Sequence, residues 1–132
     1  MKEFDLIKQY FAQRGHVRKD VKLGIGDDCA ITKVPGNQHL AVTTDTLISG
    51  VHFLADAPAR SVAYKAVAVN LSDLAASGAE PAWISLSLSL PSYDENWIEE
   101  FVNGLYELTE YYSVQLIGGD TVTGPLALTI TA

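Results

Sequence analysis

An α/β or α+β domain is what this sequence predicts, and three stretches carry the prediction. Residues 83–90 alternate without a break, with Ile84, Leu86, Leu88 and Leu90 on one face and Ser85, Ser87 and Ser89 on the other, which is the period of a strand. A nearly all-round apolar segment runs from Ser61 through Ala63, Val67, Leu71 and Leu74, the signature of a mostly buried helix. A third stretch sets Trp97, Phe101, Leu105, Leu108 and Tyr112 at helical spacing, so strands and helices alternate along the chain.

The elements follow in order. Phe4, Ile7 and Phe11, with Leu6 and Tyr10 beside them, predict an amphipathic helix over residues 3–13, ending before Gly15. Residues 29–34 and 40–44 read as short strands around Pro35-Gly36-Asn37, a turn composition that predicts a hairpin. The buried helix has Ser61 as its expected N-cap and Gly78 as its stop. Pro91 ends the serine-alternating strand. Asp94 and Glu95 fall in the first turn of the next helix, whose Asn103-Gly104 pair weakens it. Residues 114–117 read as a strand running into Gly118-Gly119-Asp120, and residues 125–132 alternate through Leu126, Leu128 and Ile130. The sequence stops inside that last strand without a polar tail, so the expectation is a domain taken from a longer polypeptide.

With 132 residues, 48 % of them hydrophobic, the chain holds one domain's worth of core without disulfides or a structural metal. Cys29 is the only cysteine, and together with the lack of a signal-like N-terminus or a bilayer-length apolar run this points to a cytoplasmic protein. The net charge of −7, from 16 acidic and 9 basic residues, argues against nucleic acid as a partner. An acidic protein that binds polyphosphate needs a divalent cation between the two sets of oxygens.

Four acidic positions share one local style, each among small or hydroxyl residues near the end of an element: Gly26-Asp27-Asp28, Thr43-Thr44-Asp45-Thr46, Asn70-Leu71-Ser72-Asp73 and Gly118-Gly119-Asp120-Thr121. Such surroundings leave room for magnesium, which takes a few carboxylates and keeps sites for water and phosphate. Singly, each is more often an ordinary turn aspartate bonded to its own backbone, and four in one short chain lower that share. Asn70 and Asp73 resist that reading most, being three apart on an apolar helix. Gly24-Ile25-Gly26 lacks the third glycine of a dinucleotide fingerprint, since Cys29 stands there, and no GxxxxGK[ST] loop exists. Gly118-Gly119 admits either a close phosphate approach or a plain tight turn. His52, in Gly50-Val51-His52-Phe53, is a candidate contact near Asp45, though a lone histidine is more often structural. Lys65 reads as a snorkelling side chain rather than a phosphate contact. Cys29 reads as a small packed hydrophobe.

Taken in order, Gly24-Ile25-Gly26-Asp27-Asp28-Cys29-Ala30, Thr44-Asp45-Thr46-Leu47 with Gly50-Val51-His52-Phe53, Asn70-Leu71-Ser72-Asp73-Leu74-Ala75-Ala76-Ser77-Gly78-Ala79 and Gly118-Gly119-Asp120-Thr121 resemble the thiamine-monophosphate kinase family, over essentially the whole chain. The resemblance implies the N-terminal domain of the aminoimidazole-ribonucleotide-synthetase-like fold, a mixed sheet flanked by helices that pairs with its counterpart in a homodimer. It implies direct phosphoryl transfer from ATP to thiamine monophosphate with several magnesium ions bound. By motif match, Asp28, Asp45, Asp73 and Asp120, with oxygens of Thr43 and Thr44, would hold metal. Gly119 and Asp120 would meet the ATP phosphates, His52 the thiamine phosphate, and Asp27 and Asn70 are secondary candidates. No residue is identified as an acid or base. The family's C-terminal domain has no counterpart in these residues, so the chain by itself is expected to be inactive or nearly so. Two other readings stand beside this one: another ATP-using enzyme of the superfamily, and a non-catalytic dimerisation or metal-binding module.

Overall fold

The structure is a computed structural model that describes residues 3–132. A helix opens the chain, α1 (Glu3–Leu6), and continues as a π turn (Ile7–Phe11) in which the Ala12 amide bonds the Ile7 carbonyl at 2.8 Å. Next come β1 (Val21–Leu23), β2 (Ile31–Thr32), β3 (Thr44–Ile48), α2 (Ala59–Ala76), β4 (Trp83–Leu90), α3 (Glu95–Tyr111), β5 (Gln115–Thr123) and β6 (Ala127–Thr131). The main sheet runs β3-β6-β4-β5, with β4 and β5 parallel and the other pairs antiparallel. This is the mixed α/β sheet expected.

One face of that sheet is apolar because β4 alternates as its sequence requires: Ile84, Leu86, Leu88 and Leu90 are buried and aligned with Leu128 and Ile130 of β6. Two helices cover this face, α2 contacting β3 and β6 and α3 contacting β5. The opposite face carries a lawn of hydroxyls. Thr44 pairs Thr131 at 3.0 Å and Thr46 pairs Thr129 at 2.8 Å, oxygen to oxygen, in register with Ser85 and Ser87.

Local signals place both long helices. Asp94 caps α3, its carboxylate accepting from the Asn96 and Trp97 amides at 3.0 and 3.3 Å. Gly78, at φ +72, lets α2 end with the Ala79 amide returning to the Leu74 carbonyl at 2.9 Å. The Ser61 cap is not made: α2 starts two residues earlier, after Pro58, and the Ser61 hydroxyl donates to the Pro58 carbonyl at 2.8 Å. Only one side of α2 is fully buried, with Val62, Ala66, Val67 and Leu74 inside while Tyr64 and Lys65 are exposed. Gly104, a weak point in sequence, is where the helices touch. A Cβ there would lie 2.2 Å from the Arg60 carbonyl oxygen, so α2 and α3 approach this closely only because it is glycine.

The expected hairpin around Pro35-Gly36-Asn37 does not form. Ile31–Thr32 pairs backward with Val21–Leu23, a strand of three residues that periodicity does not reveal, and the Lys33 amide goes to the Asp20 carbonyl at 2.8 Å. Residues 33–43 contain no strand, and the next begins at Thr44. A polar clamp ties this small sheet to the large one. The Asp20 carboxylate accepts from the Arg18 guanidinium at 2.9 and 3.0 Å and from the Trp83 indole at 3.0 Å, while Arg18 also reaches the Ser113 carbonyl at 2.9 Å.

These bonds, those from Arg18 foremost, hold the Asp20 carboxyl below its ordinary range. A depressed folded-state pKa adds stability that is complete above the unfolded value of about 4 and is lost as pH falls through the folded value. Asp20→Asn should therefore cost about 1.5 kcal/mol at pH 7. The deficit relative to the parent should shrink toward zero near pH 2, read from urea unfolding midpoints at both pH values. A deficit that does not change with pH would show that the carboxylate charge plays no part.

Candidate functional site

The structure spreads the sequence's candidate residues over several places. The first is a cavity of about 660 Å³ between α1 with its π turn, residues 24–30, and the β4–β5 pair. It draws together Gly26, Asp27 and Asp28 from one end of the chain and Gly118, Gly119 and Asp120 from the other. The order of the strands does this: β5 lies at the sheet edge, and the loop between β1 and β2 closes over it. Asp27, Asp28 and Asp120 are all exposed, and Asp120 stands beside Ser87 in the parallel register.

Gly119 is shaped by its neighbour rather than by a turn. It lies within β5 at φ +152, opposite Leu86, and a Cβ would fall 1.8 Å from the Leu86 carbonyl oxygen. A register shift between Ile84 and Ser85 sets Ile117 out of the ladder just before the glycine pair. The backbone of Gly118 and Gly119 thus lines the cavity with no side chain over it.

The second place is the far edge of the sheet. Asp45 is half-buried on β3, on the same face as Leu47, and shares a transverse row with Ile130, Leu86 and Gly119. Three strand spacings of about 4.8 Å put roughly 14 Å between Asp45 and that glycine. The exposed Asp73 belongs to the last turn of α2 and not to the sheet, and its neighbour Leu74 lines a second cavity, of about 550 Å³, with Leu40, Val42 and Ala132. Thr43 exchanges both backbone bonds with Ala132, and Thr44 uses its hydroxyl on Thr131. Asn70 is 1 % exposed, and its amide nitrogen donates to the Ala66 carbonyl at 2.8 Å. Its Oδ1 has no hydrogen-bond partner among the described residues, leaving a buried oxygen free to accept from water or a cation.

His52 forms the third place, in a tight turn after β3. Its Nδ1 accepts from the Ile48 amide at 3.0 Å, and its carbonyl accepts from Lys65 Nζ at 2.5 Å. Lys65 is therefore neither a free snorkelling chain nor in contact with the carboxylate cavity.

The described residues contain no group of three or more His, Cys, Asp or Glu side chains arranged to hold a metal. The described residues thus form no all-protein cage. The donor chemistry of the first cavity fits something smaller, a magnesium ion that takes one or two carboxylates and completes its shell with phosphate and water. Sequence reasoning missed the contributions of Ser87, Phe4 and Ile7 to this cavity, because which strands and helices adjoin is not written in local periodicity. Cys29 lines the cavity as an exposed thiol instead of packing in the core. No helix is long and apolar enough to cross a membrane among the described residues.

Known proteins resemble this chain in sequence and in fold. The chain is 56 % identical, over all of its 132 residues, to a thiamine-monophosphate kinase of Haemophilus influenzae, of which it covers 40 %. A crystal structure of thiamine-monophosphate kinase from Stenotrophomonas maltophilia superposes with a TM-score of 0.81 at 53 % identity, covering 86 % of this chain and 36 % of that one. AaThiL complexed with AMPPCP and TMP gives 0.65 at 35 % identity, over 68 % and 30 % respectively. The chain thus spans about two fifths of the length of the curated relatives it matches. Residues 26–132, from the glycine of the first aspartate motif to the last strand, match the family described as AIR synthase related protein, N-terminal domain, and to that family this chain belongs.

Proposed function

We propose that this chain is the nucleotide- and magnesium-binding part of a cytoplasmic enzyme that transfers the γ-phosphate of ATP directly to thiamine monophosphate, giving thiamine diphosphate and ADP. The observation that carries the proposal is the meeting of Gly26-Asp27-Asp28 and Gly118-Gly119-Asp120 in one cavity, although about 90 residues separate them in sequence. The relatives' name and the complex with AMPPCP and TMP supply the reaction class.

The chemistry follows from the charges. ATP brings several negative charges to a chain of net charge −7, and magnesium supplies the charge neutralisation that a transferring phosphoryl group requires. Asp28 and Asp120 would hold the nucleotide's metal, with Asp27 beside them, while the open backbone at Gly119 lets the phosphates lie close to β5. Thr43, Thr44 and Asp45 lie at the β3 edge, while Asp73 and the unpaired Asn70 oxygen belong to α2. These oxygens would take further magnesium ions only if the rest of the family's length brings them together. His52 would hold the phosphate of the acceptor. Positioning and electrostatics carry such a reaction, so no protein nucleophile is needed.

A chimera tests the reading: residues 1–132 replace the matching 132 residues of the Haemophilus influenzae relative. The expected result is ADP formation that requires both thiamine monophosphate and magnesium, with little or no turnover by the 132-residue chain alone. ADP formation that is indifferent to thiamine monophosphate would transfer the chain to another ATP-using enzyme of the superfamily. Failure to bind AMPPCP in the presence of magnesium would leave a non-catalytic module.

A further inference from the structure

Strand β3 is an edge strand, and its exposed edge ends at His52. Thr43 exchanges both backbone bonds with Ala132, and the Ser49 amide donates to the Leu126 carbonyl at 3.1 Å. In an antiparallel pair these bonds alternate, so residues 43, 45, 47 and 49 bond to β6 while the amides of Thr44, Thr46 and Ile48 point away from it. The Ile48 amide has a partner nonetheless: His52 Nδ1, at 3.0 Å. The turn that brings it there is closed by the His52 amide on the Ile48 carbonyl at 2.9 Å and the Gly50 amide on the Phe53 carbonyl at 2.8 Å. From across the gap to α2, Lys65 Nζ donates to the His52 carbonyl.

His52 is thereby held at its amide, its carbonyl and one ring nitrogen. A ring nitrogen that accepts a hydrogen bond carries no proton, so the neutral imidazole bears its hydrogen on Nε2, the one polar atom of the residue without a partner among the described residues. An exposed, fixed N–H donor suits a phosphate oxygen. A lysine whose ammonium is committed to a backbone carbonyl makes no ion pair among the described residues and acts on the histidine's placement instead.

We infer that Lys65 is the positioning residue for His52, fixing the turn so that Nε2–H is presented to the phosphate monoester of the acceptor. The acceptor part of this inference rests on the function proposed above; the positioning part stands on geometry alone.

The two parts are tested separately. In the 132-residue chain, heteronuclear NMR of the imidazole is expected to show the Nε2-protonated tautomer. The Ile48 amide should exchange with solvent far more slowly than that of Thr46, which has no partner among the described residues at the open edge. Lys65→Met should speed Ile48 exchange by about tenfold, the loss of roughly one hydrogen bond, and leave the Leu86 amide unchanged. Ile48 exchanging as fast as Thr46 in the parent, or no change in Lys65→Met, overturns the positioning role.

In the chimera, Lys65→Met should raise KM for thiamine monophosphate about tenfold, with kcat and the KM for ATP unchanged, and Lys65→Arg should restore most of the loss. A rise in acceptor KM without any change in Ile48 exchange would make Lys65 a direct phosphate contact and overturn the inference. A chimera without turnover would sink the kinase reading and the acceptor part with it, while the exchange measurement still decides the rest.

Discussion

Gly119→Ala is expected to destabilise the domain by about 3 kcal/mol or more, enough to unfold a large fraction of a protein of ordinary stability. Two independent causes act at one residue. The backbone sits at φ +152, which side chains rarely tolerate, and the added Cβ would stand 1.8 Å from the Leu86 oxygen and 2.7 Å from its carbonyl carbon. Neither atom can retreat, because Leu86 is paired on both sides, with Gly119 of β5 and with Ile130 of β6. Gly118 gives the internal control. It is adjacent, its φ is not positive, and a Cβ there meets nothing within 4 Å. Gly118→Ala should stay within about 0.5 kcal/mol of the parent. Urea unfolding of the two variants decides the matter: equal midpoints would mean that β4 and β5 do not approach as closely as described.

The contrast between these two glycines also shows what could be read in advance. As sequence, Gly118-Gly119 permits a tight turn or a phosphate approach, and nothing local says that it lies inside a strand against a central neighbour. Where a signal is local, the reading mostly holds: the alternation of residues 83–90 becomes β4, Asp94 and Glu95 stand at the start of α3 and Gly78 ends α2, although the Ser61 cap is not made. Where the outcome depends on a distant partner, it does not. Pro35-Gly36-Asn37 has a turn's composition, but the pairing of Ile31–Thr32 was decided by Val21–Leu23, too short to show any period. Gly104 reads as a flaw in a helix until the Arg60 carbonyl is seen against it. For the site, the sequence supplied the residue types and left out the strand order. That order sets Asp27, Asp28 and Asp120 around one cavity and keeps Asp45 at the opposite edge.

This partition makes the ligand assignments separable by experiment. Asp120→Asn and Asp28→Asn keep the shape of each side chain and remove one charge from the cavity that would hold the nucleotide's metal. In the chimera each should lower kcat/KM for ATP by about 100-fold to 1,000-fold, the range for losing one preorganised electrostatic contact to a reacting group. The same substitutions should leave folding untouched. Both carboxylates are exposed and neither makes an ion pair among the described residues, so the unfolding midpoint should move by less than about 0.5 kcal/mol. Without magnesium the variants should be as stable as the parent, since each carboxylate is exposed. Added magnesium should then stabilise the parent in the presence of AMPPCP and have a much smaller effect on either variant, because only a ligand that binds the folded state raises its midpoint. A structural aspartate would give the reverse pattern, a lower midpoint with magnesium dependence retained. Loss of activity with stability conserved, seen for Asp28 and Asp120 and absent for the solvent-facing Asp56, would separate metal ligands from turn aspartates, which in sequence look alike.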